Sequence, residues 1–324
     1  MFNRRKNMMI YAFLGFLEAG KTSIIKDLLK QDLFDRKLKT LIVCCEEGEE
    51  EYDPVFLANV GATVAYIEDE KSFSGDGILS QLKKYKPDRI FVEYNGMWRA
   101  TKIIEFYQDI CEILFDRQVM IQTLDIVNDE TFSVYMKNMP SLMTEHFKVS
   151  ETIICNRCTV EKTNKSAVRG SVKAVNPRAQ LVFESEDEEF YKMKEVMPFD
   201  KEADVIDITN ENFGLWYIDM IENVKDYEGK TIKIRGICQK PKGLTPGFAV
   251  LGRRVMTCCA DDIQFMGFMV KYDNWDDFKN QDFIAITARM EYKYMKEYQE
   301  EGPVFYADLV EKEERPEDDL VYFN

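Results

Sequence analysis

Histidine is almost missing. The 324-residue chain has one, His146, which excludes a metal centre built mainly from imidazoles. Positive charge is in deficit too, with 43 Lys and Arg against 58 Asp and Glu and a formal net charge of −15. Such a surface repels phosphate polymers, so no nucleic acid or anionic membrane is expected as a partner. Long hydrophobic runs are lacking as well, and no stretch has the length of a bilayer span. Arg4, Arg5 and Lys6 precede an apolar run at 8–17 in the manner of a signal peptide. Glu18-Ala19-Gly20-Lys21-Thr22 follows directly and is no cleavage site, so the run reads as a first β-strand. The eight cysteines are scattered rather than arranged as a disulfide framework, which predicts a reduced, cytoplasmic protein. What the chain does have is 45% hydrophobic and 13% aromatic residues, enough for a substantial core. Its length predicts two domains.

Residues 1–185 alternate short apolar runs with helical periodicity. Strands are expected at 9–15, 39–45, 62–67, 89–94, 119–125, 152–156 and 180–183. Ile24, Ile25, Leu28 and Leu29 share one helical face; Ile103, Tyr107, Cys111 and Leu114 share another. Near-continuous apolar strands separated by helices predict an α/β domain with a mainly parallel sheet covered on both faces. An acidic linker and a helix at 213–224 occupy 186–228. From 229 to 312 the period shortens, with strands expected at 231–237, 248–251, 263–270, 282–289 and 304–310. Five strands so spaced suggest a small all-β barrel of OB type. Residues 313–324 form an acidic tail.

The strongest motif is Gly15-Phe16-Leu17-Glu18-Ala19-Gly20-Lys21-Thr22, a complete G-x-x-x-x-G-K-[ST], followed by Ser23. The glycines let the loop wrap so that backbone N–H groups, including those around Glu18 and Ala19, point at phosphate oxygens. Lys21 neutralises the β- and γ-phosphates, the Thr22 hydroxyl ligates Mg²⁺, and the positive end of the following helix adds to the anion site. The motif follows an apolar strand and opens an amphipathic helix, as a P-loop must. The strand at 89–94 ends in Glu93, with Asn95 and Gly96 beyond it. Glu93 would face the Mg²⁺ or its water shell, and Gly96 would let backbone approach the γ-phosphate.

On these residues the chain resembles the CobW/HypB/UreG family of P-loop GTPases, most closely its CobW-like branch, over roughly residues 8–183. The G-F-L-G-S-G-K-T-T of that branch is matched by G-F-L-E-A-G-K-T-S at 15–23. Its N-E-x-G-E switch with a following Asp is matched by Glu46, Gly48, Glu49 and Asp53, and its E-x-x-G by Glu93 and Gly96. Asp125, closing a strand, and Asn176-Pro177-Arg178-Ala179 fit two further positions. The resemblance implies a GTP-binding nucleoside triphosphatase in which Lys21, Glu46 and Glu93 carry catalysis, with turnover expected to be slow because no residue is an obvious arginine finger or water-orienting glutamine. It implies Mg²⁺ held among Thr22, Glu46, Asp53 and Glu93, with Asn156 touching the base.

Three departures follow. No cysteine lies between 67 and 82, where the family carries a C-x-C-C metal motif. The base-reading N-K-x-D becomes Asn156-Arg157-Cys158-Thr159, and a threonine oxygen is a weaker acceptor for guanine than a carboxylate, so GTP and ATP both stay open. The C-terminal region, with Arg253-Arg254-Val255-Met256-Thr257-Cys258-Cys259, resembles instead the soluble domain of an uncharacterised, permease-associated bacterial family.

Cysteines fall in the pairs Cys44-Cys45 and Cys258-Cys259 and in the C-x-x-C of Cys155 and Cys158. Cys45 and Cys158, at the carboxyl ends of expected strands and near Glu46 and Glu47, are weighed as ligands for a soft metal such as Zn²⁺ against packing of Cys44 and Cys155 in the core. Cys258 and Cys259, with Asp261, Asp262 and Cys238, are weighed as ligands for Zn²⁺ or Co²⁺ against plain packing. The six carboxylates Glu46, Glu47, Glu49, Glu50, Glu51 and Asp53 read either as a solvated loop or as a switch around Mg²⁺ and nucleotide. His146 reads as structural. Two functions stand side by side, with a module that holds nucleotide without hydrolysing it as a third. One is a metallochaperone or metal-homeostasis regulator with a metal client protein or permease-associated partner. The other is a nucleotide-dependent switch without metal cargo, acting on a partner through the barrel. The resemblance also implies a homodimer as one arrangement.

Overall fold

In the computed structural model, which describes residues 7–31, 38–46, 48, 50–193, 195–257 and 263–322, the chain divides into two compact units. One comprises residues 1–163 and 175–193, the other 164–174 and 194–324. The first is built on seven strands: β1 (Met8–Leu14), β2 (Thr40–Cys44), β3 (Ala62–Tyr66), β4 (Arg89–Glu93), β5 (Val119–Asn128), β6 (Thr152–Asn156) and β7 (Gln180–Phe183). They pair in the order β3-β2-β4-β1-β5-β6-β7, and every pairing is parallel. β6 and β7 fall where the apolar pattern places them, while β5 runs three residues further, to Asn128.

Alternation along the strands divides the sheet's two faces. Ile10, Ala12 and Leu14 of β1 pack with Val43, Ile90 and Val92 on one side. Phe13 packs with Ile42, Phe91 and Ile126 on the other, against Ile25 and Leu29 of α1 (Lys21–Lys30). All five residues of β2 and all five of β4 are buried, because helices cover both faces. These helices are α2 (Pro54–Val60), α3 (Gly75–Tyr85), α4 (Thr101–Ile113), α5 (Asp129–Asn138) and α6 (Pro140–Val149). Between β6 and β7 runs α7 (Lys165–Val175), and after β7 comes α8 (Glu188–Lys192). β1 lies between β4 and β5, while the chain leaves it for β2, so a crevice opens beyond the carboxyl end of β1.

The second unit contains β8 (Val205–Asp207), α9 (Phe213–Glu222), β9 (Thr231–Gln239), β10 (Phe248–Val255), β11 (Gln264–Lys271), β12 (Phe283–Met295), β13 (Glu300–Lys312) and β14 (Leu320–Val321). β9 pairs with β10, β10 with β11, β11 with β13, β13 with β12, and β12 returns to β9. This forms the expected five-stranded ring, partly closed, with only three residue pairs at each of the β9–β10 and β11–β13 seams. Gly236, Gly252 and Gly267 lie where strands crowd: a Cβ on Gly252 would stand 2.2 Å from the Met266 carbonyl oxygen. β8 and β14 escape the sequence pattern, since two or three residues carry no measurable period.

α7 belongs to this unit through its charges as well as its packing. Arg169 meets Glu195 at 2.9 Å, Glu222 at 2.9 Å and the buried Asp219 at 3.2 Å, and Ala174 packs against the unit's core. Trp216 is the largest fully buried side chain there, in contact with Phe213, Phe268 and Phe305. Trp216→Ala is expected to destabilise this unit by about 3–5 kcal/mol. Urea denaturation should show the unit melting earlier with the first unit unchanged; an unaltered curve would place the core elsewhere. No helix among the described residues is long and apolar enough to cross a membrane.

Candidate nucleotide-binding cleft

The loop after β1 turns through left-handed backbone at Gly15 (φ +129°) and Gly20 (φ +97°). A Cβ on Gly15 would stand 2.3 Å from the Ile126 carbonyl oxygen, so only glycine suits both the conformation and the space. Glu18 also has positive φ, at 61°. Lys21, first residue of α1, is buried, and its side chain folds back into the loop. Nζ donates to the carbonyls of Gly15 at 2.8 Å and Phe16 at 2.9 Å and ion-pairs with Glu46 at 2.5 Å.

β4 lies beside β1 in a register that sets Glu93 opposite Phe13, two residues before the loop. There the Thr22 hydroxyl donates to Glu93 Oε1, while Oε2 accepts from the Tyr52 hydroxyl at 2.6 Å and the Cys44 thiol at 3.6 Å. Burial, and then the Glu93 carboxylate, push the Tyr52 phenol well above its usual range. The same causes raise the Cys44 thiol to about 12. Both groups therefore keep their protons and serve as donors that hold the buried carboxylate as an acceptor.

Gly96 is pressed against the loop from β4's side: a Cβ there would lie 2.3 Å from the Gly15 carbonyl oxygen and 2.7 Å from Phe16 Cα. From β6, Asn156 Nδ2 donates to the Ala19 carbonyl at 2.7 Å, and its buried Oδ1 has no hydrogen-bond partner among the described residues. Glu18, Ser23, Gly48 and Arg157 line the same cleft, of about 320 Å³.

The structure thus brings Gly15, Ala19, Gly20, Lys21, Thr22, Glu46, Glu93, Gly96 and Asn156 to one place. Asp53 is employed differently. Its carboxylate caps α2, accepting from the Phe56 N–H at 2.9 Å, with Pro54 next to it in the first turn. Asn156 meets the loop's backbone at the Ala19 carbonyl. Cys258, Cys259, Asp261, Asp262, Glu47 and Glu49 lie outside the described residues. Cys238 is packed in the barrel core, where burial raises its thiol to about 11. His146 is buried and stacks on Phe16, with Asp125 Oδ1 3.7 Å from its Nδ1. Tyr52 and Arg157 escaped the sequence reading as site residues. Arg157 belongs to the segment Asn156-Arg157-Cys158-Thr159, but nothing local marks a tyrosine at the end of an acidic run as a carboxylate partner.

A family model described as CobW/HypB/UreG, nucleotide-binding domain, matches residues 9–183, and one described as DUF1980 C-terminal domain matches residues 183–323. No curated protein matches the chain. Among solved structures, Zn(II)-bound YjiA GTPase from E. coli is 16% identical with a TM-score of 0.44, covering 85% of this chain and 92% of its own. The hydrogenase maturation factor HypB from Archaeoglobus fulgidus is 16% identical with a TM-score of 0.36, covering 67% and 90%. The signal recognition particle receptor FtsY from Elizabethkingia anophelis is 10% identical with a TM-score of 0.36, covering 56% and 58%.

Proposed function

Because the chain belongs to the CobW/HypB/UreG family of P-loop GTPases, we propose that it binds GTP with Mg²⁺ in the cleft beyond β1, hydrolyses it slowly, and couples its nucleotide state to metal homeostasis. The observation that carries the nucleotide part is the placement of Lys21 Nζ on the Gly15 and Phe16 carbonyls, beside a Thr22 hydroxyl in contact with Glu93. A hydroxyl and a carboxylate side by side are hard oxygen donors, which suit Mg²⁺. Thr22 and Glu93 would hold the ion or its water. Bound with nucleotide, Mg²⁺ draws negative charge from the β- and γ-phosphates.

The chain's own groups do the rest. The loop's N–H groups and the amino end of α1 receive phosphate oxygens. Lys21 supplies a desolvated positive charge, and Glu46 competes with phosphate for it. Tyr52 and Cys44 orient Glu93 and keep it from swinging away from Thr22. Among the described residues lining the cleft there is no glutamine to orient a water, which supports slow turnover. Metal homeostasis is supported by family membership. The absence of cysteine from 67–82 favours the second reading, a nucleotide-dependent switch without metal cargo that works through the barrel.

Calorimetric titration with GTP and then ATP in Mg²⁺ buffer tests the base. GTP is expected to bind at least about tenfold more tightly, a difference of about 1.4 kcal/mol. Equal affinities would mean that Thr159 has changed the base code, and the guanine assignment would fall. Stoichiometric Zn²⁺ or Co²⁺ retained through purification and lost in Cys258→Ser/Cys259→Ser would count against the switch.

A further inference from the structure

A second constellation lies in the loop that follows β6. Cys155, near the end of β6, and Cys158, just beyond it, are both buried, and their sulfurs are 3.8 Å apart. Asp129, the first residue of α5, brings Oδ1 to 3.9 Å from the Cys155 sulfur. One ligand atom from each of the three lies within 4.8 Å of the others.

We propose that Cys155, Cys158 and Asp129 form a binding site for a thiophilic divalent cation of the Zn²⁺ class, built into the loop that carries Asn156 and Arg157. Two thiolates at about 2.3 Å from a tetrahedral ion stand about 3.8 Å apart, which is the separation found. A carboxylate oxygen at about 2.0–2.2 Å from the ion would stand about 3.6 Å from each sulfur. The Asp129 oxygen, 3.9 Å from the Cys155 sulfur and within 4.8 Å of that of Cys158, completes a third position by closing in by up to about 1 Å. A disulfide, by contrast, requires about 2.05 Å, so the sulfurs would have to close nearly half their distance.

The surroundings orient the ligands. Thr163 Oγ1 donates to Asp129 Oδ2 at 2.7 Å, which leaves Oδ1 toward the sulfurs, and the same hydroxyl accepts from the Thr159 N–H at 2.9 Å. The loop's backbone is pinned to the end of β7: Cys158 N–H donates to the Glu184 carbonyl at 3.0 Å, and Glu184 N–H to the Cys155 carbonyl at 2.8 Å. Three protein ligands leave one position for water or an exchangeable group, and two thiolates select against Mg²⁺.

The two residues between the cysteines connect this loop to the phosphate loop and its cleft. Asn156 braces Ala19, and Arg157, held at φ 56°, lines the cleft. A metal ion at Cys155 and Cys158 clamps that loop at both ends, so metal and nucleotide affinities are linked, each changing the other by the same factor. The site rests on its own geometry. Only this linkage rests on the nucleotide reading above.

The test is an anaerobic titration of the reduced full-length chain with Co²⁺, followed by its sulfur-to-cobalt charge-transfer absorption. One equivalent is expected to bind with thiolate bands. The bands should persist in Cys258→Ser/Cys259→Ser and in Lys21→Ala, and vanish in Cys155→Ser/Cys158→Ser. Thr163→Val, which keeps both thiols and whose fold circular dichroism checks, should weaken Co²⁺ binding about 10–100-fold, and Asp129→Asn at least as much. Retained bands in a Lys21→Ala protein that no longer binds nucleotide support the site independently of the cleft. Absent bands in the wild-type chain, bands that survive Cys155→Ser/Cys158→Ser or disappear with Cys258→Ser/Cys259→Ser, or an affinity indifferent to Thr163→Val and Asp129→Asn would overturn it.

Discussion

Lys21→Ala is expected to weaken nucleotide binding by at least about 100-fold and to abolish measurable turnover. The ammonium is buried, accepted by two loop carbonyls at 2.8 and 2.9 Å, and paired with Glu46 at 2.5 Å. Truncation removes the one positive side chain inside the loop and leaves the Glu46 carboxylate facing incoming phosphate with its charge uncompensated. Removing one partner of a buried, hydrogen-bonded charge pair costs about 2–5 kcal/mol, and the lower end of that range is already more than tenfold in affinity. Repulsion between Glu46 and phosphate adds to it. Arginine should not rescue, because a planar fork cannot take the place of a compact ammonium between two carbonyls. Calorimetry with GTP measures the loss, and circular dichroism checks that the fold is retained. Affinity and phosphate release equal to those of the wild type would show that the cleft is not the nucleotide site.

Gly96→Ala is the second expected large effect, and it acts without touching any charge. Gly96 has no left-handed backbone, so alanine's conformational demands are met and steric contact alone decides. The added methyl would sit 2.3 Å from the Gly15 carbonyl oxygen and 2.7 Å from Phe16 Cα, and backbone atoms on both sides have no flexible end to yield. The loop must shift, carrying with it the carbonyls that seat Lys21. A displacement of about 1 Å in a positioning element costs about 100-fold in rate, and a loss of that order is expected in turnover, with nucleotide affinity falling as the seat of Lys21 moves. Stability should fall by about 1–3 kcal/mol from the overpacking itself. Titration at a temperature well below the melting point separates the two effects. Wild-type affinity would mean that the loop relaxes freely and that the close approach of Gly96 has no bearing on binding.

The residues that hold Lys21 and Glu93 show how far local pattern reaches. The loop at 15–22 was legible because a phosphate cradle demands glycines and a lysine at fixed spacing, all within eight residues. Glu93 was legible because a buried strand ends there and a parallel sheet turns its carboxyl ends to one side. The partners of Glu93 were not. Tyr52 is 41 residues from it and Cys44 is 49, and they meet only because β2 and β4 pair with Cys44 opposite Glu93. Asp53 shows the reverse case, since its place in a switch motif suggested magnesium while the adjacent Pro54 and the start of α2 engage it as a cap.

By itself, then, the chain's order of residues determined the two architectures, the parallel sheet and the five-stranded ring, and the identity of the phosphate loop. Each is written in periods of two or three to four residues or in a short contiguous motif, so side-chain polarity and backbone propensity report it locally. Tertiary structure alone decided that Asn156 would brace Ala19 across 137 residues, that α7 would join the second unit through Arg169, and that Asp129 would stand beside Cys155 and Cys158. Those contacts depend on which strands become neighbours and on where buried charges find partners. Burial penalises every unpaired polar group, and that penalty is settled over the whole fold rather than along any one segment.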